Sequence, residues 1–111
     1  MTVSTKTNII TSMKLWKEDL LQEQGERQRR LKSLEEYLEI LNEKVQCLLS
    51  VTVEEHNQKQ ALNQISKDYG ARQIKLIDEI YNLEKEINVH EGLNEKLFSR
   101  IDVMIKEREE K

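Results

Sequence analysis

From Ile10 onward the chain can be written in heptads without an insertion. The first core position, a, falls on Ile10, Lys17, Gln24, Leu31, Leu38, Val45, Thr52, Lys59, Ser66, Gln73, Ile80, Ile87, Asn94 and Ile101. The second, d, falls on Met13, Leu20, Arg27, Leu34, Leu41, Leu48, Glu55, Leu62, Tyr69, Leu76, Leu83, His90, Leu97 and Met104. About two thirds of these positions are apolar, against 37% of the whole chain, which is the signature of a coiled-coil seam.

The seam is uneven. Residues 1–8 are polar and aperiodic, and a disordered N-terminus is expected there. Residues 9–24 read as an amphipathic docking helix whose Ile9, Met13, Trp16 and Leu20 share one face; Trp16 is the sole tryptophan. The stretch QEQGERQRR (22–30) is polar and places Gln24 and Arg27 in core positions. Residues 31–49 form the best zipper, through Leu31, Leu34, Leu38, Leu41, Val45 and Leu48. In 50–60, SVTVEEHNQKQ, the pattern fails, because Thr52, Glu55 and Lys59 would face the core. A second block, 62–106, resumes with Leu76, Ile80, Leu83 and Ile87. It ends on a wide apolar face of Leu93, Leu97, Phe98, Ile101, Met104 and Ile105, broad enough for a three- or four-helix junction.

This pattern predicts an all-α fold, a long helical coiled coil. Proline is absent, there are three glycines, and Glu, Lys, Leu, Gln and Arg are good helix formers. The β-branched run Val51, Thr52, Val53 weakens a helix, and Thr52 followed by Glu55 fits a capping box that would restart one. Against a turn stand the lack of glycine or proline in the segment and the unchanged heptad phase on its two sides. The reading is one extended helix with a weak point near 50–60. The alternatives are an antiparallel helical hairpin or a small three-helix bundle.

Charge bears on partners. In a parallel two-stranded coil each g residue faces the partner's e residue five positions later. Glu79 would then meet Glu84, and Glu86 would meet Glu91. Such like-charge pairs select against self-pairing by charge, and favour a hetero-oligomer with other helical protein chains over a parallel homodimer. The net charge of −3 supplies no basic field for nucleic acid. Arg27, Arg29, Arg30 and Lys32 directly precede the Leu31, Leu34, Leu38, Leu41 zipper, an order that resembles a basic-region leucine zipper over about twenty residues. The base-reading asparagine is missing, and Glu23 and Glu26 sit inside the run. The cluster therefore reads as a solvated face or a complement to an acidic partner, and no direct nucleic-acid contact is expected.

Candidate chemistry is sparse. The glycines at 25, 70 and 92 are isolated and form no phosphate loop. His56 and His90 lack metal-ligand spacing, and Cys47 stands alone on an outer position. No enzymatic activity, cofactor or metal is expected. The lone cysteine suits a reducing compartment, and no apolar run approaches the ~20 residues that span a bilayer. The sequence thus points to an intracellular protein, cytoplasmic or nuclear. It fits a structural coiled-coil subunit that pairs through Leu31–Leu48 and Leu76–Ile87, with end contacts at Trp16 and at Leu97–Ile105. The alternative is a small helical chaperone or adaptor with a client groove, similar in length and acidity to prefoldin subunits or tubulin cofactor A. A prefoldin-like chain would need a β-hairpin, for which Val51–Val53 is too short.

Overall fold

The fold is all-α. A computed structural model describes the backbone of residues 2–110 and the side chains of residues 5–110. Two helices account for nearly all of it: α1, Thr2–Ser50, and α2, His56–Glu110. Of the expected disordered segment 1–8, Met1 lies outside the described residues, and α1 already begins at Thr2. Threonine, valine and serine cost a helix only tenths of a kcal/mol each, and adding residues to an existing helix needs no new nucleus.

Helix α1 ends at Ser50 and α2 starts at His56, so the single uninterrupted helix gives way to its alternative, a chain that turns back. Ser50 Oγ donates to the Cys47 carbonyl at 2.8 Å, occupying one of the acceptors that every helix C-terminus leaves open. The restart is set by Glu55, not by Thr52. The Glu55 carboxylate accepts from the backbone N–H groups of Asn57 at 3.0 Å and Gln58 at 2.9 Å, while its carbonyl accepts from Lys59 N at 3.0 Å. Glu55 is therefore the N-cap itself, and its negative charge sits on the positive end of the α2 dipole.

The chain divides into two compact units: Arg29–Glu84, and Met1–Gln28 together with Lys85–Lys111. The unit Arg29–Glu84 is an α-hairpin. Its core is Leu41 (3% exposed), Leu76 and Ile80, against which Leu31, Leu34, Leu38 and Tyr69 pack. Leu83 is also buried there. Gln73 donates from Nε2 to Asn42 Oδ1 at 2.8 Å across the pair. Burying each such aliphatic side chain contributes about 1.5–3 kcal/mol. That packing, more than intrinsic propensity, holds the two helical segments in place.

In the unit formed by Met1–Gln28 and Lys85–Lys111 the two segments run antiparallel. Lys14 pairs with Glu109, Lys17 with Asp102, Gln24 with Asn94 and Gln28 with Glu91, so one number falls as the other rises. Among its described residues Ile87 and Ile101 are the buried aliphatic ones, and Asn94 is buried between them in sequence.

Candidate interaction surfaces

Most residues expected to meet a partner lie on the seam between helical segments of this chain. In the hairpin unit, Leu31, Leu34, Leu38, Val45 and Leu48 are half-buried, and Leu41, Leu76, Ile80 and Leu83 are buried. In the other unit, Met13, Leu20, Leu97, Phe98 and Met104 are half-buried, and Ile87 and Ile101 are buried. What covers the seam of α2 in each unit is a segment of α1. Trp16 differs, since it stands at the g edge of its helix and keeps 44% of its surface exposed.

Several polar residues at core positions find partners across the seam. Asn94, 2% exposed, donates from Nδ2 to Gln24 Oε1 at 3.0 Å. Lys17, at an a position, lays its stem along the seam and places Nζ 2.9 Å and 3.1 Å from the two carboxylate oxygens of Asp102. The same Nζ lies 5.6 Å from the Phe98 ring centroid, within cation–π range. Gln28 Nε2 donates to Glu91 Oε1 at 2.6 Å. The e position Glu91 thus meets a neutral amide, where a parallel pairing would give it another glutamate. Glu79, Glu84 and Glu86 are exposed. The hairpin unit holds Glu79 and Glu84 together with the exposed cations Arg29, Arg30 and Lys32, opposite charges within one compact body.

His56 opens α2 and is exposed, His90 is half-buried at its d position, and Cys47 is an exposed free thiol. Among the described residues no group of three or more His, Cys, Asp or Glu side chains is placed to hold a metal ion. Among the same residues no helix is long and apolar enough to cross a membrane. Surface depressions in the unit formed by Met1–Gln28 and Lys85–Lys111 are open and of mixed lining, as in the one where Leu21 and Ile105 stand among Lys14, Lys17, Asp102 and Glu109.

A second apolar stripe lies outside the heptad seam. On α2, within the hairpin unit, Ile74 is 72% exposed, Ile77 54% and Tyr81 57%. Their spacing of three and four residues puts them on one face of the helix, at b and e positions beside the buried seam. Gly70 precedes them at the same spacing, and a Cβ built on it would meet nothing within 4 Å. The signal was present in the sequence as apolar residues recurring outside a and d, which a strict two-stranded seam does not need. Comparison with protein-family models, with curated proteins and with solved structures finds no match for this chain.

Proposed function

We propose that this protein is a structural coiled-coil subunit that assembles with other helical chains in an intracellular multiprotein complex of the cytoskeletal, centromeric or trafficking kind. It has no catalytic role in this reading and needs no cofactor. The observation that carries it is the exposed Ile74, Ile77, Tyr81 stripe, because the a and d stripe beside it is already covered from within the chain. Aliphatic side chains standing in water at helical spacing are what a helix offers to another helix. The acidic flanks Glu79, Glu84, Glu86 and Glu91 still speak against a parallel pairing of identical seams.

The test is site-specific photocrosslinking in intact cells. A photoreactive residue at position 77 is compared with one at position 75, an exposed site off the stripe. Protein adducts concentrated at 77 support the proposal. Equal yields at the two positions, or none at either, refute it.

A further inference from the structure

The outer stripe of α2 in the hairpin unit is self-complementary when read in the two opposite directions. Its positions are Lys67, Gly70, Ile74, Ile77, Tyr81 and Glu84, spaced three, four, three, four and three residues apart. The spacing is the same from either end, so an antiparallel copy presents the same row of positions. Aligned about its midpoint, Ile74 faces Ile77 of the second copy, Gly70 faces Tyr81, and Lys67 faces Glu84, with each pair repeated by the two-fold axis. An apolar centre is thus flanked by a small-against-large pair, and then by a cation against an anion. Lys67 and Glu84 are exposed, as are the two isoleucines and Tyr81.

Gly70 supplies an independent argument. Glycine weakens a helix interior, and here nothing within the chain explains it. No glycine among the described residues has positive φ, and an added Cβ at 70 would enter open space. The absence of a side chain at this position leaves room for a bulky side chain of a second helix to come close. On this stripe the side chain that the antiparallel register brings to Gly70 is Tyr81, the largest in the row.

We infer that this face binds a second copy of the chain, α2 against α2 in antiparallel register, forming an isologous dimer of hairpins. The inference rests on the outer-face reading proposed above and names the occupant of that face. It differs from the parallel seam pairing that the acidic flanks disfavour, because the stripe lies outside the seam and its charges are complementary in the antiparallel direction.

The test uses the purified full-length chain in sedimentation experiments over a wide concentration range. The native sequence is expected to shift from monomer toward dimer, and Ile74→Lys with Ile77→Lys to remain monomeric with unchanged helicity. Gly70→Ala is expected to raise the melting temperature measured in dilute, monomeric samples and yet weaken the dimer at least about tenfold. A purely structural role for the glycine would not move the two readouts in opposite directions. For register, Cys47→Ser chains carrying Ile74→Cys are mixed with Cys47→Ser chains carrying Ile77→Cys. Disulfides joining 74 to 77 should dominate over 74–74 and 77–77 links. The inference is overturned by a native chain that stays monomeric at high concentration, by a dimer indifferent to the lysine pair, or by a dominance of like-position disulfides. A monomeric native chain that still gives position-77 adducts to other proteins in cells would remove the second copy and leave the assembly proposal standing.

Discussion

Asn94 and Gln24 are hydrogen-bonded side chain to side chain at 3.0 Å, each at an a position of its own helix. Both look like defects in an otherwise apolar stripe. Their pairing turns two interruptions into one polar layer, which costs stability compared with leucine but penalises every register that separates them. Asn94→Ala should lower stability by about 1–3 kcal/mol, because Gln24 loses its donor in a partly buried place. Replacing both residues with leucine should recover that loss or exceed it. The cost should appear as doubled resonances in an NMR spectrum, from registers that the polar layer had excluded. Additive single and double effects in the mutant cycle would show that the pair is not coupled.

Glu55 carries the start of α2. Glu55→Ala should cost about 0.5–2 kcal/mol in urea unfolding followed by circular dichroism, because two backbone donors lose their acceptor. Glu54→Ala, one residue away and also exposed, should stay within about 0.5 kcal/mol. Equal effects at the two positions would remove Glu55 as the cap.

The link Val51–Glu55 should accept added length. Inserting Gly-Ser-Gly between Val51 and Thr52 breaks the common heptad phase of the two helices. In a chain that turns back this costs about 0.6 kcal/mol for each doubling of the loop. In a continuous helix it would rotate the second stripe away from the first. Thermal unfolding that stays cooperative, with only a small drop in midpoint, is the expected result.

Seam and outer face should separate cleanly by mutation. Leu41→Ala removes a side chain that is 3% exposed and should cost about 2–5 kcal/mol. Ile74→Ala removes one that is 72% exposed and should leave the stability of dilute protein within about 0.5 kcal/mol. A large loss at Ile74 in dilute samples would mean that this face is covered within the chain.

The heptad pattern carried much of the fold. From Ile10 to Met104 every a and d residue except Thr52, Glu55 and Lys59 is buried or half-buried, and those three fall in or beside the link. The link itself was visible as a β-branched run, but the unbroken phase argued for continuity. Phase has no force once the chain reverses, because each helix then presents its own stripe and a match arises by chance about once in seven. The polar core positions Gln24 and Asn94 interrupt two separate stretches of the stripe, and the chain reversal brings those interruptions together as one hydrogen-bonded pair. The Ile74, Ile77, Tyr81 stripe lies outside the a and d positions that define a heptad seam, although the same three-and-four spacing recurs there.

The closed seam is tested most directly by zero-length carbodiimide coupling of a mixture of unlabelled and nitrogen-15-labelled chains. Lys17 Nζ lies 2.9 Å from an Asp102 carboxylate oxygen, and Lys14 Nζ lies 3.7 Å from a Glu109 oxygen, so both pairs are within reach of an amide bond. If α1 and α2 of one chain cover each other, mass spectrometry will find Lys17–Asp102 crosslinked peptides of uniform isotope, with both halves light or both heavy. Crosslinks that join a light half to a heavy half in statistical proportion would show that the seam is made between chains, and would contradict the pairing of α1 with α2 of the same chain in this unit.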